Sequence, residues 1–149
     1  MSETVIQVSS LGKRIKGKTI LEDISFEINQ GDCVALIGPN GAGKTVLMSC
    51  ILGDKKPSSG QVLIDGKAGK AKNQIAVLLQ ENTIPNSLKV SELIAFFQAV
   101  SDNPLTNQEV QNLLRFKEDQ YQQFADKLSG GQRRLLAFVL CLIDKPKIL

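Results

Sequence analysis

The chain has 149 residues, of which 42% are hydrophobic and 22% charged, so one globular domain is expected and a disordered or fibrous protein is excluded. The net charge of +3 is small and the basic residues are scattered, which argues against a nucleic-acid partner or direct membrane binding. The amino terminus lacks the pattern of a signal peptide, and no apolar run could span a bilayer.

The first half of the chain predicts strands followed by a helix. Residues 5–8 form a short apolar run, and residues 24–28 alternate apolar and polar side chains, as a half-buried strand does. Residues 33–37 are continuously apolar, which predicts a strand covered on both faces. A glycine-rich loop follows, and residues 44–52 predict a helix that Gly53 ends.

The second half begins with two further predicted strands, at residues 61–64 and 75–79, and then turns helical. Residues 90–100 have helical spacing of their apolar side chains. Thr106 with Glu109, and Ser129 with Gln132, are capping-box pairs that predict two more helix starts. Pro146 ends the last helix, and residues 147–149 predict the start of another strand.

Three cysteines, Cys33, Cys50 and Cys141, lie among apolar residues without the spacing of a metal site. We therefore expect buried free thiols in a reducing compartment.

One glycine-rich segment fits the phosphate-binding pattern G-x-x-x-x-G-K-[ST] at every fixed position. Glycines let backbone N–H groups approach phosphate oxygens, and the helix that follows directs its positive end at the same oxygens. A lysine can then contact the β- and γ-phosphates, and a hydroxyl can bind Mg²⁺. The alternative is a tight turn of coincidental composition. The candidate residues are Gly38, Pro39, Asn40, Gly41, Ala42, Gly43, Lys44 and Thr45.

A second segment, Leu128 to Gln132, could by itself be an ordinary capped helix start. Together with the phosphate loop, however, it resembles the signature sequence of ABC ATPases at all five positions. The resemblance implies that this segment completes the nucleotide site of a second subunit when two domains close head to tail. Its candidate residues are Ser129, Gly130, Gly131 and Gln132.

The resemblance implies two further site residues. Gln80 follows an apolar segment and is similar in position to the family's Q-loop glutamine, which contacts Mg²⁺ or the attacking water; the alternative is a polar loop residue. Ile15 corresponds to the aromatic residue on which the family stacks adenine. Without a stacked ring, the site would lose about 1–3 kcal/mol of the binding free energy of the base, by analogy with base stacking on proteins. A strict preference for adenine is therefore in doubt.

The family resemblance implies an α/β fold. A P-loop NTPase core of ABC type would carry an N-terminal antiparallel β subdomain and a helical subdomain at about residues 86–127, all within one domain of residues 1–149. Residues 147–149 resemble the opening of the Walker B strand. The later aspartate, glutamate and histidine of the family, and its remaining C-terminal strands, are missing. No residue is therefore assigned a catalytic role, and no ATP turnover is expected from these residues alone.

The function implied is that of an ATP-binding subunit, with ATP and Mg²⁺ as cofactors, on the inner face of the cell membrane. Its partners would be a separate transmembrane permease and a second nucleotide-binding subunit. The short stretch between Gln80 and Ser129 favours an exporter. Two alternatives remain: a truncated nucleotide- or partner-binding fragment without catalysis, and a non-transport ABC ATPase.

Overall fold

The computed structural model describes residues 3–68, 74–79 and 84–149, and the chain divides into two compact units, residues 1–72 and 73–149. The first unit is a four-stranded antiparallel sheet of strand order β2-β1-β3-β4 with one helix. Its elements are β1 (Thr4–Ile15), β2 (Lys18–Asn29), α1 (Lys44–Ile51), β3 (Ser59–Ile64) and β4 (Lys67–Ala68).

Strand β1 has 12 residues, far more than the apolar run at 5–8 predicted. It lies between β2 and β3, and several register shifts let its polar second half stay paired. In β2 the predicted alternation is confirmed: Ile24, Phe26 and Ile28 are half-buried while the residues between them are exposed. This sheet matches the antiparallel β subdomain expected at the N-terminal side.

The predicted strand at residues 33–37 is wrong. The structure assigns no strand there, and Val34, Leu36 and Ile37 expose 59%, 45% and 90% of their surface. An apolar run supplies side chains that favour burial, but a strand also needs hydrogen-bonded neighbours. No strand among the described residues pairs with this segment.

The second unit is helical. Its elements are α2 (Val90–Val100), α3 (Asn107–Leu114), α4 (Glu118–Tyr121), a 3₁₀ turn (Ala125–Lys127) and α5 (Gly130–Leu142). Helices α2, α3 and α5 share one core, in which Val90, Leu93, Val110, Leu136 and Val139 are almost fully buried. Burying each such side chain contributes about 1.5–3 kcal/mol to the free energy of folding. Since Leu136 and Val139 lie on α5, this helix shares the core of the helices in the expected subdomain at 86–127.

The predicted strand at residues 75–79 is reduced to one parallel bridge, between Ile75 and Ile148. Two backbone hydrogen bonds of 2.9 Å hold it, from Ala76 to Ile148 and from Ile148 to Gln74. Residues 77–79 make no strand pairing and their apolar side chains are exposed. The predicted strand start at residues 147–149 is reduced to the same single bridge, through Ile148.

The cysteine prediction holds for one residue of three. Cys50 is buried, Cys141 is half-buried, and Cys33 is exposed because the segment that carries it is not part of the sheet. All three are free thiols.

Candidate functional site

The glycine-rich loop has the backbone conformation that its sequence predicts. Gly41 and Gly43 have φ values of +84° and +89°, in the left-handed region that disfavours other residues. At Gly43 a side chain is excluded for a second reason, since an ideal Cβ would lie 2.9 Å from Cδ2 of Leu21 and 3.2 Å from Cγ2 of Ile20. The loop is therefore packed closely against the start of β2.

Helix α1 begins directly behind this loop and its N-terminus is left open. Gly43 is its N-cap, so no side chain accepts from the first backbone N–H groups, and no acidic residue lies in the first turn. The other four α-helices of the described residues each have a carboxylate or amide oxygen that folds back on the N-terminus. The first N–H groups of α1 thus remain available to an anion, and the helix dipole favours one there.

The ammonium of Lys44 lies over the same loop. Its Nζ donates hydrogen bonds of 2.6 Å to the carbonyl oxygen of Gly38 and 2.8 Å to that of Pro39. Ala42 N–H donates to the Pro39 carbonyl at 3.2 Å, which closes the turn. These contacts hold a positive charge against the loop that precedes the open N–H groups, and a cation beside free N–H donors favours a polyphosphate.

Thr45 follows Lys44 in the first turn of α1 and is exposed. A hydroxyl in this position is a hard oxygen donor, suited to Mg²⁺ that keeps most of its ligands as water and phosphate oxygens. No group of three or more His, Cys, Asp or Glu residues that could hold a metal occurs within the described part of the chain.

Ile15 ends β1 at the tip of the β1–β2 hairpin, where it is half-buried and pairs directly with Lys18. The register shows a neighbour that the sequence reasoning missed. Because residues 5–8 alone were predicted as the first strand, nothing placed Lys18 opposite Ile15. The Lys16–Gly17 turn between two β-rich segments was the available signal.

The predicted signature residues lie at the start of α5. Ser129 is the N-cap, and its Oγ accepts a hydrogen bond of 3.2 Å from the N–H of Gln132. Around Gly130 and Gly131 no atom lies within 4 Å of an added Cβ, so both glycines face open space. The capping box predicted from the sequence is confirmed.

Gln80 lies outside the described residues, so its predicted role is not tested by the structure. Tyr121 and Cys141 have a raised pKa because burial disfavours their charged forms. Neither side chain belongs to the loop or to the start of α5. Within the described residues no helix has the length and apolar character needed to cross a bilayer.

Comparison with known proteins gives a family match over most of the chain. A family model described as "ABC transporter" matches residues 21–149. The methionine import ATP-binding protein MetN of Legionella pneumophila is 34% identical over 158 residues, covering 97% of this chain and 46% of that protein. The spermidine/putrescine import ATP-binding protein PotA of Mycoplasma mycoides is 29% identical over 157 residues, covering 100% of this chain and 45% of that protein.

A solved structure also matches. That of cbiO1 from Clostridium perfringens, described as part of the ABC transporter complex cbiONQ, has a TM-score of 0.80 and 25% identity, covering 97% of this chain and 63% of its own. The chain spans about half the length of the curated relatives it matches. The described residues thus have the fold of part of an α/β P-loop core.

Proposed function

Because this chain belongs to the ABC transporter family, whose model matches residues 21–149, we propose that it is the ATP-binding subunit of a transporter. It would couple the binding and hydrolysis of ATP to transport by a separate membrane permease. The observation that supports this most directly is the open N-terminus of α1 behind a left-handed glycine loop, with the Lys44 ammonium hydrogen-bonded to two carbonyl oxygens of that loop. That combination is suited to the β- and γ-phosphates of a nucleotide.

The cofactors of this proposal are ATP and Mg²⁺. Lys44 would contact the terminal phosphates, the loop N–H groups would surround them, and Thr45 would contribute one oxygen to the metal. Mg²⁺ neutralises charge on the phosphates when bound. Gln80 would be a further contact to the metal or the attacking water, as its likeness to the family's Q-loop glutamine implies. Ile15 would contact the base from the hairpin.

A second nucleotide-binding subunit is the proposed partner of the α5 start. Gly130 and Gly131 are exposed and uncrowded, and Ser129 keeps its hydroxyl proton free while its oxygen caps the helix. These groups are therefore available to the γ-phosphate held by another copy in a head-to-tail dimer.

The permease is proposed as the other partner, with the subunit on the cytoplasmic face of the membrane. Phe96 and Val100 expose 58% and 66% of their surface on α2, and the ring of Phe97 packs edge-on against Phe96 at 5.8 Å. A contiguous group of exposed apolar side chains is typical of an interaction surface, whereas single exposed ones are ordinary.

The direction of transport that we propose is import. The relatives described above are named as import subunits, for methionine and for spermidine and putrescine. Those names do not support the exporter that the short stretch between Gln80 and Ser129 favoured.

The test is a calorimetric titration of the chain with Mg-ATP, in the parent and in Lys44→Ala. Hydrogen bonds to charged groups contribute about 1.5–3 kcal/mol, so the variant should lose roughly 10- to 100-fold in affinity. Lys55→Ala, which removes an exposed lysine beyond α1, is the control and should bind as the parent does. Equal affinity in the parent and in Lys44→Ala would contradict the proposal.

A further inference from the structure

A cavity of about 380 Å³ lies at the C-terminal end of α1, at the opposite end of this helix from the glycine-rich loop. Its walls are the last turn of α1, the loop that follows, the first residues of β3 and the end of β4, all within the first unit. Small-molecule pockets have volumes of about 300–1,000 Å³ and combine an apolar lining with a few polar groups. The cavity therefore has the size of a site for a small organic molecule.

The loop between α1 and β3 is held by hydrogen bonds on both sides of the cavity. The N–H groups of Asp54 and Lys55 donate to the carbonyl oxygen of Ser49 at 2.9 and 3.0 Å. Farther along the loop, the N–H of Ser58 donates to the carbonyl oxygen of Gly12 at 2.8 Å. Backbone contacts to α1 and β1 thus define the shape of the cavity.

The charged groups at this cavity are cationic. Lys55 and Lys56 belong to its lining, and none of the lining residues that the structure describes is acidic. Lys13, on β1, reaches the same loop, since its Nζ donates a hydrogen bond to the carbonyl oxygen of Lys56. Asp54 precedes Lys55 in the chain but does not line the cavity. A cleft lined by charge of one sign raises the local concentration of the opposite ion, so an anionic ligand is favoured.

The thiol of Cys50 lies in the wall of the cavity, where the residue exposes only 3% of its surface. Burial raises the pKa of this thiol, and the charges of Lys13 and Lys55 act in the opposite direction. The fields of two ammonium groups thus extend to the cavity wall. Cys50 can therefore report which small molecules enter the cavity.

We propose that this cavity is a binding site for a small organic anion, whose carboxylate or phosphate group contacts Lys55 and Lys56. Its apolar part would lie against Ile51 and Val62, which line the cavity and are only half-buried. An inorganic ion would leave this apolar wall uncovered, so an organic anion is the better fit.

The proposed anion site is separate from the proposed nucleotide site. The eight residues of α1 lie between them and span about 12 Å at the rise of an α-helix. The inference therefore does not depend on the proposed function.

The experiment compares the alkylation of Cys50 by iodoacetate and by its neutral counterpart, iodoacetamide, in the full chain without nucleotide. In both reactions the thiolate sulfur displaces iodide from the CH₂ carbon, and the thiol proton is lost to the solvent. Both reagents consume the same thiolate, so a change in the pKa of Cys50 cancels in the ratio of the two rates. That ratio, measured by mass spectrometry of the labelled peptides, reports how strongly the cavity attracts an anion.

We expect the iodoacetate-to-iodoacetamide ratio at Cys50 to fall about tenfold in a Lys55→Met/Lys56→Met variant at low salt. Added salt should reduce the difference, since it screens exposed charges. Lys18→Met removes an exposed lysine that does not line the cavity, and it should keep the parent ratio. Exposed Cys33 is the internal reference, and its ratio should be the same in all three proteins.

Butyrate and glycerol 3-phosphate distinguish the two possible acidic groups. Each is tested for protection of Cys50 against iodoacetamide, with butyramide and glycerol as the neutral counterparts. An anion that binds should slow the reaction about twofold at half occupancy, where its neutral counterpart has no effect. The Lys55→Met/Lys56→Met variant should lose this protection.

Equal ratios at Cys50 in the parent and in Lys55→Met/Lys56→Met would overturn the inference. So would a native Cys50 that reacts with neither reagent, because small molecules would then not enter the cavity. Protection by neither anion would also overturn it, since the lysines would attract anions without binding one. A parent chain that binds no nucleotide would overturn the proposed function and leave this inference intact.

Discussion

The side chains of Ser129 and Gln132 cap α5 reciprocally. Ser129 Oγ accepts a hydrogen bond of 3.2 Å from the Gln132 N–H, and Gln132 Oε1 accepts one of 3.0 Å from the Ser129 N–H. Two residues of the proposed dimer contact thus also stabilise their own helix. Gly130, between them, makes no such contact, so substitution there separates the two roles.

Gly130→Asp should leave the stability and the monomer's ATP affinity unchanged while preventing the dimer contact. A carboxylate in the first turn of α5 interacts favourably with the helix dipole, worth about 0.3–1 kcal/mol, and its Cβ meets nothing within 4 Å. Ser129→Ala should instead cost about 1 kcal/mol, as the loss of an N-cap does. Thermal unfolding and ATP titration of both variants measure this. A large loss of monomer ATP affinity in Gly130→Asp would contradict the proposed role in trans.

Gly60→Ala should destabilise the sheet far more than Gly17→Ala. Both glycines have left-handed φ values, +71° and +78°, so each alanine costs about 1–2 kcal/mol in backbone strain. At Gly60 the new Cβ would also lie 2.3 Å from the carbonyl oxygens of Ser9 and Ser10, whereas at Gly17 it meets nothing within 4 Å. We expect a further 1–3 kcal/mol or so from this overlap.

Urea unfolding followed by circular dichroism measures the difference, since the chain has no tryptophan for fluorescence. Similar losses of unfolding free energy in the two variants would mean that β1 and β3 can move apart to accommodate the new Cβ at a small cost in free energy.

Stability should fall in acid through Glu109. The N–H and the hydroxyl of Thr106 donate to its carboxylate at 2.7 and 3.0 Å, and these bonds lower the pKa of Glu109 from its ordinary value of 4.5. Because the folded pKa is the lower one, the stabilisation is present above about pH 4.5 and is lost as the pH falls through the folded pKa. In thermal melts across this pH range, the difference in Tm between the parent and Glu109→Gln should become smaller as the pH falls. A Tm difference that does not change with pH would contradict the stabilising role of the Glu109 carboxylate.

Cys33 should be the thiol that reacts first with a disulfide reagent at about pH 8, because it is exposed and the thiolate is the reacting form. Burial raises the pKa of Cys50 and of Cys141, so both thiols should react slowly. Cys33→Ser should remove the fast phase of labelling, and Cys50→Ser, as the control, should keep it. A fast phase that survives Cys33→Ser would come from Cys50 or Cys141 and would contradict the prediction.

Local signals predicted local structure well. The helix at 90–100 and the capping boxes at Thr106 and Ser129 agree with the structure, because each depends on side chains within four residues of one another. The glycine-rich loop is local in the same sense, since its glycines and Lys44 lie within eight residues, and the left-handed φ values of Gly41 and Gly43 fit glycine there. Its binding of phosphate stays a prediction.

Features that depend on distant partners were predicted less well. Apolar runs at 33–37 and 75–79 have the composition of buried strands, yet strand formation requires neighbours that no local pattern reveals. Strand β1 shows the converse, because pairing on both sides extends it through polar residues as far as Ile15. Cross-strand register then made Lys18 a neighbour of the proposed base site.

The exposed apolar segment at 33–37 leads directly into the phosphate loop. Binding of a nucleotide at the loop should therefore affect how readily the chain aggregates. Unpaired backbone with apolar side chains promotes association between copies. A ligand that binds only the dispersed form opposes this by mass action, by about 2.7 kcal/mol at a hundredfold excess over its Kd. Concentrated solutions should therefore remain clear for longer with nucleotide than without it. Turbidity recorded over time at increasing Mg-ATP concentrations measures this, and the delay before aggregation should lengthen with the nucleotide concentration.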